Sequence, residues 1–95
     1  MKRLAFSPAA IADLNEIWDY SADHWGPDRA DLYINEIRDA CNSIALGQKH
    51  GRHVDARPGY LRISAGSHVV YYQALGDIMN VIRVLHSRMD VDRHL

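Results

Sequence analysis

The hydrophobic patterning predicts an α+β fold: an antiparallel sheet with an N-terminal strand, a helical hairpin packed on one face, and a three-stranded C-terminal meander. Two observations carry this. Residues 8–46 repeat apolar side chains at three-and-four spacing with one Gly-Pro break, and residues 60–86 switch to β-branched runs separated by glycine turns.

Leu4, Ala5 and Phe6 make the opening strand. Ser7 then offers an acceptor for an orphan helix N–H, and Pro8 a pre-set φ for the first turn, so a helix starts there. Ala10, Leu14, Ile17, Trp18, Ser21 and Trp25 recur along one face, while Asp13, Glu16, Asp19 and Asp23 fall largely elsewhere. Gly26-Pro27 ends this helix, and Pro27-Asp28 restarts a second. Its stripe is Ala30, Tyr33, Ile34, Ile37, Cys41 and Ile44, and Gly47 is its stop. The hairpin has an acidic outer side.

Periodicity fails over residues 48–59, a basic loop with Lys49, His50, Arg52, His53 and Arg57. Strand-like runs follow at residues 60–65, 67–75 and 78–86, with Gly66 and Gly76-Asp77 as hairpin turns. Val81-Ile82-Arg83-Val84-Leu85 is apolar on both parities except at Arg83, as a central strand covered on both faces requires. Residues 87–95 lack periodicity and are expected to cross the surface. A site is expected on the hairpin-free face of the sheet.

Ninety-five residues suit one domain, 1–95, that buries roughly two thirds of its extended surface. No apolar run approaches the roughly 18 residues of a membrane span. The basic start breaks at Ser7-Pro8 before an export signal develops, so a cytoplasmic protein without membrane association is expected. The lone Cys41 excludes an internal disulfide and suits a small buried hydrophobe. His50 and His53 lack the further ligands a zinc site wants, so neither a metal nor another cofactor is expected. Residues 1–47 carry four Lys/Arg against eight Asp/Glu, and residues 48–95 carry seven against four. That gradient suits an acidic partner or target near the second half but is too weak to announce a duplex-DNA binder.

A series of marks runs along the chain: Ser7-Pro8-Ala9-Ala10, Asp13-Leu14, Ile17, Tyr20, Trp25-Gly26, Ala30, Tyr33, Gly51-Arg52 and Gly59-Tyr60. They continue through the run from Gly66 to Tyr72 and are densest from Val81 to Asp90, with His94-Leu95 closing the series. In these residues the chain resembles the bacterial ParE family of the RelE/ParE toxin superfamily. The resemblance implies a RelE-like fold and a non-enzymatic toxin of a type II toxin-antitoxin system that inhibits DNA gyrase and is held in a hetero-oligomer by a ParD-like antitoxin. The alternative is a RelE-like, ribosome-dependent mRNA endoribonuclease.

Trp18, Trp25, Tyr33 and Ile37 lie on helical stripes and are read as core or antitoxin-groove residues. Arg62, Arg83 and His86, on two strands and one strand end, are expected to meet on the open face and engage the target. The competing assignment gives both arginines ion pairs to a crossing segment. Arg88, Met89 and Asp90 either touch the target or brace the tail. In a ribonuclease, Arg62 and Arg83 would hold phosphate and His86 would transfer a proton. The C-terminal tyrosine often used in that branch has no counterpart in residues 87–95. Both helices are acidic and neither offers a basic recognition face, so direct sequence-specific DNA binding is not expected.

Overall fold

Ser7 ties the first helix to the sheet. Its Oγ accepts the Ala10 N–H at 3.0 Å, capping α1 (Pro8–Trp25), and donates to the Ile82 carbonyl at 2.6 Å. The computed structural model describes all residues 1–95. Gly26, at φ +92°, closes α1 with its N–H on the Ala22 carbonyl and also opens α2 (Pro27–Ala45). A side chain is disfavoured at that φ, which is why one glycine can make the sharp corner of the hairpin.

The strands are β1 (Arg3–Phe6), β2 (Arg52–His53), β3 (Leu61–Ala65), β4 (His68–Leu75) and β5 (Ile78–His86), and a short α3 (Val91–His94) ends the chain. Their order across the sheet is β1-β5-β4-β3-β2, with β1 parallel to β5 and every other pair antiparallel. The hairpin and meander lie where the sequence predicts them. The two-residue β2 escapes prediction because it is shorter than one alternation.

The main core sits between hairpin and sheet, with Ile37, Cys41, Val70, Tyr72, Met79 and Val81 at its centre. Burial pushes the Cys41 thiol up to about 11, as expected of a packing residue. Val54, Val69, Tyr71 and Leu85 form a smaller core on the opposite face, covered by Tyr60, Val91 and Leu95. This corrects the expectation of an open face: the tail folds back on it as part of the packing.

The double apolar parity of β5 has a specific cause. Tyr71 pairs with Arg83 but Tyr72 pairs with Val81, so Ile82 is an extra residue in a β-bulge. The alternation therefore shifts. Met79, Val81 and Val84 all reach the main core, while Leu85 reaches the smaller one.

β1 pairs with β5 only as far as Val81, and α1 takes over from there. Asp13 accepts the Val84 N–H at 2.9 Å, as an adjoining strand would, and holds the Arg83 guanidinium through Nε at 2.7 Å and Nη2 at 2.8 Å. Arg83 Nη1 then donates to the His94 carbonyl at 2.9 Å. Asp13 is thus buried within the apolar stripe, not on the solvent side where the sequence reading put it. We predict that Asp13→Ala lowers the unfolding free energy by about 3 kcal/mol, because it strands a partly buried guanidinium and a buried N–H together. Asp13→Asn, which keeps an acceptor for Val84, should lose less. Urea unfolding measures both, and a wild-type midpoint for Asp13→Ala would contradict the assignment.

Candidate functional site

Beyond the point where β1 stops, a cleft of about 690 Å³ opens between the hairpin and the end of β5. Tyr20, Trp25 and Tyr33 supply its aromatic lining, and Glu16, Arg29, His68, Arg83, His86 and His94 are among its polar groups. A mostly apolar concavity of this size with a few convergent polar groups is the usual form of a binding site.

The β3–β4 turn sets the polar wall. Gly66, at φ +59°, lies so close to Tyr33 that an added Cβ would sit 2.6 Å from the ring, so the turn closes against α2 only with glycine there. Ser67 then donates its N–H to the Tyr33 hydroxyl at 3.0 Å, and that hydroxyl meets His68 Nδ1 at 2.5 Å. Because the hydroxyl oxygen already accepts from Ser67, its proton is available to His68. This favours a neutral imidazole accepting at Nδ1. His68 contacts His86 edge-to-face with ring centroids 5.3 Å apart, and the backbone N–H of Arg88 donates to His86 Nδ1 at 3.2 Å. Burial first, and the neighbouring His86 second, push His68 below its ordinary 6.5, while Asp13 opposes them.

At the cleft mouth, Tyr20 stacks on His24 with centroids 3.9 Å apart, and Trp25 stands edge-on to Tyr20 at 6.0 Å. Trp25 is 64% exposed and Tyr20 57%, so this ledge of aromatic surface is left in water.

The candidate residues from the sequence are distributed unevenly. Arg83, His86 and Met89 all line the cleft. Arg62 does not: it stands opposite Tyr71 on the face that holds the smaller core, whereas His68 ties His86 to the helix side. The bulge at Ile82 separates them. Arg83 is also already engaged, and its hydrogen bond to Asp13 is the main reason it is held more firmly protonated than usual. Arg88 is exposed, and Asp90 caps α3 by accepting the Asp92 N–H at 3.0 Å. Trp25 and Tyr33 share the cleft, but Trp18 is turned to Asp31, to which its Nε1 donates at 2.8 Å. Ile37 is 0% exposed and is core, out of reach of any partner.

Sequence reasoning missed Asp13, Tyr20, Arg29 and His68. Asp13 had a signal, because it falls between Ala10 and Ile17 at stripe spacing. His68 had none, since its partners are 35 and 18 residues away along the chain.

Residues 4–91 match the profile of the family described as "ParE toxin of type II toxin-antitoxin system, parDE". The chain is 48% identical over 95 residues to Toxin ParE1 of Mycobacterium tuberculosis, covering 98% of this chain and 97% of that protein. It is 40% identical over 96 residues to Toxin ParE1 of Caulobacter vibrioides, covering 100% and 99%. Among solved structures, the chromosomal ParDE system of P. aeruginosa superposes with a TM-score of 0.79 at 21% identity, over 90% of this chain and 96% of that one. The RelB-RelE complex of Methanococcus jannaschii gives 0.52 at 25% identity, over 86% and 88%.

The His68 geometry carries a pH dependence. Between the ordinary value of 6.5 and the lower folded one, the unfolded chain binds a proton that the folded chain refuses. The contribution of His68 is therefore complete above about pH 6.5 and declines as pH falls through that window. A melting temperature that drops from about pH 7 to about pH 5, with a smaller drop in His68→Gln, is the expected result. An NMR midpoint for His68 at or above 6.5 would refute it.

Proposed function

The chain belongs to the ParE family of toxins of type II toxin-antitoxin systems, and from that premise we propose that it acts in the cytoplasm by binding DNA gyrase, with a ParD-like antitoxin seated at the aromatic cleft. As a member of that family it is the toxin component, and ParE toxins pair with an antitoxin. The observation that carries the reading is the match of the ParE profile across residues 4–91.

The site geometry favours gyrase over the ribosome. Cleavage of RNA needs phosphate-holding cations and a proton-transfer group converging on one scissile bond. Here Arg62 and His86 belong to opposite faces of the sheet, and Arg83 has its guanidinium committed to Asp13 and the His94 carbonyl. A protein-binding toxin needs only a complementary surface.

The antitoxin assignment rests on the ledge. Tyr20 and Trp25 are large aromatic side chains held in fixed mutual geometry and left exposed beside a deep cleft, the combination that anchors protein partners. An amphipathic segment with an apolar anchor for the cleft is the occupant this surface suits.

Two outcomes are expected. Purified protein should inhibit gyrase supercoiling and leave ribosome-bound message intact, and His86→Ala should leave message intact as well. Codon-position cleavage by the wild type, lost in His86→Ala, would establish the ribonuclease instead. Trp25→Asp should weaken antitoxin binding at least about tenfold, with an unchanged circular-dichroism spectrum, because it removes an aromatic anchor at the cleft mouth. Calorimetric titration with unchanged affinity would place the antitoxin elsewhere.

A further inference from the structure

The face of the sheet away from the hairpin carries a second charged feature. Arg52 on β2 lies directly opposite Arg62 on β3, and both side chains are exposed. Each belongs to the face of the smaller core, since Val54 and Tyr71, in step with them, are buried there. Like charges placed directly opposite on neighbouring strands repel and destabilise the pair. Neither is neutralised: the molecule's two ion pairs are Asp13–Arg83 and Asp90–Arg93. Residues 48–62 hold Lys49, Arg52, Arg57 and Arg62 against the single carboxylate of Asp55.

We infer that Arg52 and Arg62 form a binding site for the phosphodiester backbone of DNA, separate from the aromatic cleft. Directly opposed residues have Cβ atoms about 5 Å apart, so two extended guanidinium groups can take successive phosphates of one strand, each as a planar fork of donors. An acidic protein would also be attracted to this charge, but stable protein interfaces are built around an apolar or aromatic anchor. The patch offers none. Val54 and Tyr71 are buried, and no large hydrophobic side chain between residues 50 and 70 is exposed. What remains is cation on a strand surface, which suits phosphate and reads no base sequence. The inference rests on the gyrase reading only for the source of the DNA, which gyrase holds as substrate.

The test uses the free full-length chain and a labelled 20-base-pair duplex, with anisotropy followed across salt concentration. Binding at low salt should be equal for two unrelated sequences and should weaken steeply as salt rises. Arg52→Gln/Arg62→Gln should bind about tenfold or more weakly and flatten the log–log salt slope by about 2, one for each lost phosphate contact. Its melting temperature should equal or exceed that of the wild type, because a repulsion is removed. Arg38→Gln, on the exposed side of α2, controls for loss of charge and should bind as the wild type does. The inference is overturned if the wild type fails to bind duplex at low salt, or if the double variant binds like the wild type. It is likewise overturned if the double variant loses affinity for DNA-free gyrase while keeping duplex binding, which would assign the pair to an acidic protein surface. A chain that binds duplex through this pair yet leaves gyrase supercoiling untouched keeps the site and refutes the target reading.

Discussion

The Asp13 carboxylate is the joint on which the rest of the fold depends. A parallel strand of four residues cannot cover a nine-residue neighbour, so the second half of β5 would present unpaired backbone beside the helix that crosses it. Asp13 meets that demand by standing in for a strand at Val84, and its remaining capacity is spent on Arg83. Arg83 in turn reaches the His94 carbonyl, so one carboxylate couples α1, the sheet edge and the C-terminal tail. The tail is thereby held where Val91 and Leu95 can cover the smaller core. Without the charge pair, burial of the tail would rest on two modest apolar side chains.

That joint also decides what the surface can do. Because the edge of β5 is closed at Asp13, the opening beyond it becomes a bounded cleft with an aromatic wall and an imidazole wall, not an exposed strand edge. Because Arg83 is consumed, the arginines left free on the sheet are Arg3 on the β1 edge and the pair farther along, on β2 and β3. The two surfaces differ in chemistry as well as position. One is aromatic and lies against the acidic hairpin, and the other is cationic and nearly devoid of apolar exposure.

Much of this fold was legible in the sequence because local chemistry dictates it. Ser7-Pro8 and Gly26-Pro27 bracket α1, and Gly66 and Gly76-Asp77 turn the meander, each through a backbone preference that needs no distant partner. The misreadings are all non-local. In Val81–Leu85 a β-bulge and a strand covered on both faces leave the same double apolar parity, yet the bulge determines which face each later side chain takes, and so it parts Arg62 from His86. Asp13 falls at stripe spacing, but what makes a buried carboxylate tenable there is Arg83, 70 positions later. Ile37 and Trp18 share the stripes of α2 and α1 with true surface residues, and only packing distinguishes a wholly buried isoleucine from an exposed aromatic.

Placing the two surfaces on different faces has a consequence for neutralisation. An antitoxin confined to the cleft would leave Arg52 and Arg62 in solvent, since the sheet and the smaller core lie between. Direct masking of both therefore requires a partner chain that rounds an edge of the sheet. The β2 edge is two residues long, and β3 beyond it has no strand neighbour from Ile63 to Ala65, so the sheet is unpaired on that side. The β5 edge is closed by Asp13 and crossed by α1. A wrapping partner would thus find backbone donors and acceptors on the arginine side of the molecule and apolar anchorage on the aromatic side. The alternative is a partner that stays at the cleft and excludes gyrase by bulk alone. In that arrangement the arginine pair keeps its affinity for DNA while the antitoxin is bound, so the two modes differ in whether the neutralised complex still binds duplex through that pair.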